Sequence, residues 1–363
     1  MQMDEFCYFY TKITMYKSIV RPLLFRLNPE PVHHLVATSL KVGLSIPGMR
    51  RLLRSQTTIK HPLLEREVFG IKFPSPVGLA AGFDKNATLI SEMDALGFGF
   101  IEIGTVTPLA QPGNPKPRSF RLPQDSALIN RMGFNNNGLI SAITKLQKRR
   151  KDIVVGGNIG KNTLTSNADA TKDYVAVFEG LYPYVDYFVV NVSCPNIANL
   201  GALQEKDGLS DILEAITTYR ASQAICKPIL LKISPDLTPD QLFEQLESVK
   251  KYSIDGVIAT NTTRSREGLT TDNERIEAIG NGGLSGKPLF NQSLEMVRLI
   301  ANKTEGKLPI VAVGGIMSEQ DALDMLDAGA SLIQIYTGFI YNGPLFTKRI
   351  NKAILKRELS IKH

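Results

Sequence analysis

Apolar positions follow two regimes along the chain. Up to residue 60 they recur with helical spacing: Phe9, Ile13, Tyr16, Val20, Leu23 and Leu27 stand three or four residues apart, with Lys12, Lys17, Arg21 and Arg26 on other faces. This predicts an amphipathic helix, kinked at Pro22, whose ring removes a backbone donor. A second helix is predicted with Asn28 as its cap and Pro29 in its first turn, carrying Val32, Leu35, Val36 and Leu40 on its apolar side until Gly43. Residues 45–48, with Ile46-Pro47-Gly48, then read as a hinge.

From residue 70 the pattern becomes eight short apolar runs, at 76–81, 100–106, 153–158, 187–192, 229–233, 256–260, 310–313 and 332–336. Near-continuous apolar runs fit strands covered on both faces. Segments of helical period separate most of them, as at 209–219, 241–250, 291–302 and 319–327. Eight such units predict an α/β fold, a closed (β/α)8 TIM barrel spanning residues 56–363, with residues 1–55 as an N-terminal helical extension. An open doubly wound sheet is the alternative. The count of eight favours the barrel, and so do the polar residues ending every run, because in a barrel those ends converge on one mouth.

Composition sharpens this picture. A chain of 363 residues with 43% apolar and 21% charged residues has material for one large core plus an appendage. The longest uncharged stretch, 187–204, holds Asn191, Pro195, Asn196 and Asn199, which hydrocarbon would penalise, so no membrane span is expected. Cys7, Cys194 and Cys226 are scattered and odd in number, which fits neither a disulfide framework nor a zinc site and points to a reducing compartment. No HxxxH string or acidic cluster appears, and no metal is expected. Asp4 and Glu5, with no small-residue cleavage site, argue against a secretory or organelle leader, so the chain is expected to stay in the cytosol.

The net charge of +7 is unevenly placed, with nine Lys and Arg against three acidic residues in 1–60 and a near-neutral remainder. A basic amphipathic segment on a neutral globule suits an anionic lipid surface; a nucleic acid partner, which needs a basic groove, is not expected.

The run ends bring together candidate chemistry: Ala80, Ala81, Gly82 and Lys85; Thr105; Asn158; Asn191 to Asn196; Lys232; Thr260, Asn261 and Thr262; Gly314 and Gly315; Tyr336, Thr337 and Gly338. Asn and Thr offer paired donors and acceptors to a flat heterocycle with imide edges, and lysine offers charge to a carboxylate or a reduced flavin. Glycines after the seventh and eighth runs suit a phosphate held by backbone N–H groups, such as that of a flavin mononucleotide. The glycines of 282–286 read equally well as a simple turn. Lys232 interrupts an apolar strand, where an unpaired ammonium is costly, so a flavin is its expected partner.

The strings AAGFDK (80–85), EIGTVTPLAQPGNPKPR (102–118), NRMGFNN (130–136), GGNIGKN (156–162), NVSCPN (191–196), LLKISPD (230–236), ATNTT (259–263), GGLSGKPL (282–289), AVGGI (312–316) and QIYTGF (334–339) together resemble the dihydroorotate dehydrogenase family, in order from about residue 70 to the end. The extension, with its Asn28-Pro-Glu-Pro-Val-His33 string, is similar to the appendage of the quinone-dependent class. The resemblance implies FMN held by Ala80, Ala81, Gly82, Thr105, Asn158, Lys232, Thr260, Gly286, Gly315, Tyr336 and Thr337, with Asn191 shared with the substrate. Dihydroorotate would be gripped by Lys85, by Asn130, Arg131, Met132, Gly133 and Phe134, and by Asn191, Asn196, Asn261 and Thr262. The implied reaction oxidises dihydroorotate to orotate for pyrimidine synthesis. Its electrons pass to a membrane quinone entering between the two helices, on a protein peripheral to the cytoplasmic side of a bacterial inner membrane.

Family members remove the C5 proton with a base on the loop after the fourth strand, the position of Cys194. The quinone-dependent class usually has serine there and the soluble class cysteine, so this chain mixes the base of one with the extension of the other. A thiol needs little activation, its unperturbed pKa being about 8.5. The bland alternative for Cys194 is a small buried apolar residue, with Ser193 as rival base. Arg121 matches a family position near the quinone path, although 118–121 also reads as a solvated loop. His33 and His34 read as packing or capping residues. Two other functions stay open: a tRNA-modifying flavin reductase, which would need a basic groove, and a non-catalytic barrel docking on membranes, which would hold no flavin.

Overall fold

The computed structural model describes residues 15–193 and 206–361, which leaves Phe9, Lys12, Ile13, Cys194 and Asn196 outside the described residues. A hairpin of β1 (Arg66–Val68) and β2 (Ile71–Phe73) precedes the barrel. Eight parallel strands then close a ring: β3 (Val77–Asp84), β4 (Phe100–Val106), β7 (Val154–Ile159), β8 (Tyr187–Val190), β9 (Ile229–Ile233), β10 (Gly256–Ala259), β12 (Ile310–Val313) and β13 (Leu332–Ile335), the last pairing back onto β3. Every one of the eight apolar runs overlaps a barrel strand. Closure in a ring, with all neighbours parallel, excludes the open sheet. The four helical segments read from the sequence fall within helices Lys206–Ala221, Pro239–Lys251, Phe290–Lys303 and Glu319–Asp327.

Inside the barrel, large rings are matched by glycines on neighbouring strands. A Cβ added at Gly78 would lie 2.3 Å from the Phe100 ring, and one at Gly156 2.2 Å from Tyr187. The β1–β2 hairpin closes the amino end, where Phe73 stands edge-on to Phe100 at 5.1 Å and to Tyr187 at 6.5 Å. Phe73, Phe100 and Tyr187 are all buried there, and burying rings of this size contributes about 1.5–3 kcal/mol each, so this end of the barrel is filled by side chains. Over the carboxyl end lies a three-stranded antiparallel sheet, with β6 (Ala127–Asn130) between β5 (Ser119–Leu122) and β11 (Gly283–Gly286).

The extension departs from its sequence reading in four places. Helical backbone continues across Pro22, and a π turn at Tyr16–Val20 that the spacing did not predict precedes helix α1 (Arg21–Phe25). Asn28 stands at the N-cap of α2 (Pro29–Ser45) without a side-chain capping bond; Pro29, with its preset φ, starts the helix. The expected apolar side divides: Val32 is buried, Leu40 half-buried and Val36 open to a cavity that all three line, whereas Leu35 is exposed away from it, because α2 is apolar toward both the barrel and the surroundings. Finally, beyond the turn at Gly48 (φ +82°) a third helix, α3 (Met49–Thr57), was not anticipated. Arginines make up its polar face while Met49, Leu52 and Leu53 keep helical spacing, and the barrel supplies its partners: Asp94 bonds Arg54 at 2.8 Å, and the carbonyls of Ser91 and Ala95 accept from Arg50 and Thr57 at 2.7 Å each.

Candidate active site

Parallel strands place their last residues around the open mouth, and the residues singled out above meet there. A cavity of about 170 Å3 is walled by Ala80, Ala81, Gly82 and Lys85 at the end of β3, Thr105 of β4, Asn191 after β8 and Lys232 of β9. Its far wall is Thr260, Asn261 and Thr262 after β10, Gly314 and Gly315 after β12, and Tyr336 and Thr337 after β13. Asn130, Met132, Gly133, Phe134 and Gly286 cover it from the overlying sheet and its loop. Gly283 and Gly286 belong to strand β11, paired with β6, so this segment is not a simple turn.

Two predicted residues stand elsewhere. Asn158 is fully buried behind the cavity wall: its Oδ1 accepts from Thr105 Oγ1 and from Asn191 Nδ2 (3.2 Å). Arg131 turns away from the mouth, donating to the carbonyls of Ile279, Asn281 and Pro117 and lying over the Phe120 ring at 4.6 Å. Extended backbone explains this, since Asn130 and Met132 face the cavity and the residue between them must face the other way.

Sequence reading missed Glu102, Gln334 and Ser285. Lys232, only 6% exposed, has a protein partner instead of depending on a flavin alone: Glu102 Oε1 lies 4.0 Å from its Nζ. Glu102 and Gln334 interrupt apolar strands just as Lys232 does, and that signal was available.

The backbone at two corners suits a phosphate. Gly314 and Gly315 have φ of +127° and +74°, and a Cβ at Gly315 would sit 2.4 Å from the backbone nitrogen of Phe290. Gly286, at φ +100°, comes as close to the Ser126 carbonyl, and beside it Ser285 and Thr337 share a hydroxyl hydrogen bond of 2.8 Å. Concave backbone of this kind aims N–H groups at an anion. With the amide-lined floor, this donor set fits an FMN.

Charge at the mouth is carried by Lys85, whose ammonium donates to the Gly82 carbonyl at 2.8 Å. Burial pulls its pKa down to about 8, against an opposing pull from Glu30, so it remains a cation at neutral pH.

A second, larger cavity of about 660 Å3 lies between α1, α2 and the mouth. Val20, Leu24, Phe25, Val32, Val36, Leu40, Phe83 and Phe339 make it mainly apolar. His33 stands edge-on to Phe83 at 4.8 Å, and burial, reinforced by the charge of Lys85, depresses its pKa to about 4, leaving it neutral. Arg121 lies over the Phe25 ring at 4.6 Å and donates to the Leu27 carbonyl at 2.5 Å. Tyr336, pushed up to about 12 by burial, stays protonated. Lys85, Ser119, Leu128, Met132 and Tyr336 wall both cavities, so the apolar space abuts the polar one.

A closed (β/α)8 barrel with an amide-lined mouth and a backbone cradle suited to phosphate is a candidate ligand-binding site of the TIM-barrel class. The family model for dihydroorotate dehydrogenase matches residues 63–358. A relative from Christiangramia forsetii, named dihydroorotate dehydrogenase (quinone), is 52% identical over 345 residues, covering 95% of this chain and all of its own. One of the same name from Chloroflexus aurantiacus is 48% identical over 349 residues, covering 94% and 96%. A crystal structure of ligand-free DHODH from Eimeria tenella superposes with a TM-score of 0.80 at 33% identity, over 92% of this chain and 96% of its own. This chain belongs to the dihydroorotate dehydrogenase family.

Proposed function

We propose that the chain oxidises (S)-dihydroorotate to orotate for UMP synthesis, with FMN as hydride acceptor and a membrane quinone as final electron acceptor. The observation that carries this reading is the pair of cavities with five wall residues in common, one polar at the barrel mouth and one apolar under the helices.

FMN is assigned to Ala80, Ala81, Gly82, Thr105, Lys232, Thr260, Gly286, Gly315, Tyr336 and Thr337, with Asn191 reaching both ligands and Asn158 acting through its neighbours. Bound there, FMN supplies hydride acceptance on the substrate side and electron release on the other. The substrate is assigned to Lys85, Asn130, Met132, Gly133, Phe134, Asn196, Asn261 and Thr262, with Lys85 facing its carboxylate. Cys194 is assigned as the base that takes the C5 proton. Its neighbour Ser193 is buried and accepts from Asn261 Nδ2 at 3.1 Å. The thiol is preferred over this hydroxyl because its ordinary pKa, about 8.5, needs far less activation.

The quinone is assigned to the apolar cavity, where neutral His33 and stacked Arg121 line the approach to Tyr336. Residues 1–55 then act as the access module and 56–363 as the catalytic one. No described helix is long and apolar enough to cross a membrane. The exposed apolar residues and the cations of the extension instead suit shallow docking on anionic lipid, on the cytoplasmic side of a bacterial inner membrane.

Anaerobic mixing with dihydroorotate tests the first half of the reaction by bleaching of the flavin band. Adding a ubiquinone or menaquinone analogue tests the second half by its recovery. Equal recovery with fumarate or NAD would overturn the quinone assignment, and a colourless protein would overturn the enzyme.

A further inference from the structure

We propose that Glu102 is a positioning residue for the cofactor: its carboxylate sets the charge that Lys232 presents to the flavin and orients the amides beside it. The proposal rests on the assignment of FMN to the barrel mouth.

Glu102 lies within β4, fully buried in the barrel. A carboxylate sealed at such a depth is costly unless its lone pairs are filled and a cation is near. Both conditions are met. Asn158 Nδ2 donates to Oε1 at 2.8 Å, Gln334 Nε2 donates to Oε2 at 2.6 Å, and Lys232 Nζ is 4.0 Å away.

An ionised carboxylate only accepts hydrogen bonds, so its presence decides which way each amide points. Asn158 must turn its NH2 inward, which leaves its Oδ1 facing Thr105 and Asn191. Asn191 in turn spends its NH2 on Asn158 and on Thr105 Oγ1 (3.0 Å), leaving its Oδ1 to accept from Asn261 Nδ2 at 3.3 Å. One buried anion thus orders a run of amides from the barrel interior to the cavity wall.

The same anion offsets Lys232. An ammonium facing the cavity favours extra negative charge there, and a carboxylate at this distance in a low-dielectric interior cancels part of that pull. Charge placed near a flavin tunes its electronics.

Gln334 Oε1 has no hydrogen-bond partner among the described residues. In Glu102→Gln, the Gln334 amide can therefore turn over and accept from the introduced NH2. The substitution keeps the hydrogen bonds and removes the charge.

The test is a potentiometric titration of bound flavin in wild type, Glu102→Gln and Glu102→Gln/Asn158→Asp. The double variant returns a carboxylate one side chain away, able to accept from the introduced amide, Thr105 and Asn191. Glu102→Gln is expected to move the two-electron potential positive by about 30 mV or more, a tenfold change in equilibrium constant. The double variant is expected to reverse more than half of that. A flavin-loaded Glu102→Gln protein with unchanged potential overturns the proposal. If Glu102→Gln is purified without flavin, recovery of flavin binding in the double variant supports the proposal and continued loss overturns it. Absence of flavin from the wild-type protein would instead sink the FMN assignment beneath it.

Discussion

In the barrel, Phe100, Val189, Leu230 and Ile258 are sealed from solvent, and the polar residues of the same strands gather at one mouth. In the extension, Leu23, Leu27, Leu35 and Leu52 stand more than half exposed. Of the sixteen exposed large apolar residues among those described, ten lie between Met15 and Leu52. A region making up a small fraction of the chain cannot reach that share through ordinary scatter of surface leucines. The extension is apolar on two sides, one walling the cavity and the other open, whereas the exposed apolar residues of the barrel are few and scattered along its sequence. Similar side chains therefore build a core in one region and stand open in the other, and under the proposed function perturbing each region should disturb a different half of the reaction.

The largest separation is expected from Cys194→Ala. Losing a positioned base lowers rates by about 10²–10⁴, so bleaching of the flavin by dihydroorotate should slow by that order. Recovery of chemically reduced enzyme by a quinone analogue should be unchanged, and Cys194→Ser should fall between. Unaltered bleaching in Cys194→Ala would shift the role to Ser193.

The reciprocal experiment acts on the extension. Leu23→Glu/Leu27→Glu places charge on the open side without touching the cavity lining. With roughly 1.5–3 kcal/mol for each leucine withdrawn from lipid, co-sedimentation with anionic vesicles should weaken by about a hundredfold or more while flavin bleaching stays intact. Ile140→Glu/Leu164→Glu, at barrel positions more exposed than either leucine, is the control. Equal losses from both pairs would mean that the extension has no special claim on the membrane.

The barrel was legible because each strand states its own case: an apolar run, then polar residues at its carboxyl end. The mouth was legible for the same reason, since eight such ends have only one place to meet. Pairings across the ring were not. Glu102 and Lys232 are partners across 130 positions of sequence, which no local spacing reports. Arg131 was misjudged because a contiguous motif hides the alternation that turns its middle residue outward. Helix α3 was missed because its reasons for being helical lie on the barrel, in Asp94, Ser91 and Ala95.

Lys85 offers a smaller effect within the barrel half. With its pKa near 8, the cation facing the substrate carboxylate is lost above that pH. Orotate should bind more weakly by up to about tenfold for each further pH unit, offset by whatever the bound carboxylate does to raise the pKa. Lys85→Met should weaken binding at pH 7 by about ten- to a hundredfold, as expected for a lost charged hydrogen bond, and should flatten the pH profile. Isothermal titration at pH 7, 8 and 9 reads both, and an unchanged profile in Lys85→Met would reassign the carboxylate contact.

The smallest effect sits on the seam between the two regions. His33 belongs to α2 but packs on Phe83 of β3, and its pKa is depressed to about 4 by burial and by Lys85. In the unfolded chain the same ring titrates near 6.5. Between these values the unfolded state binds the extra proton, so stability should fall as pH drops from about 6.5 to about 4 and should not change through this group above that window. Sealed from water, such a depression would contribute about 3 kcal/mol; the ring lines an open cavity and is screened, so about 1 kcal/mol is expected. His33→Leu keeps an apolar contact on Phe83 and removes the titration. The wild-type minus variant difference in melting temperature should therefore fall on acidification, by a few degrees for a change of this size, whatever carboxylates elsewhere contribute to both. A wild-type minus variant difference that stays flat from pH 7 to 4.5 would show that His33 is not held neutral, and the seam would then be as wet as the outer face of the helices.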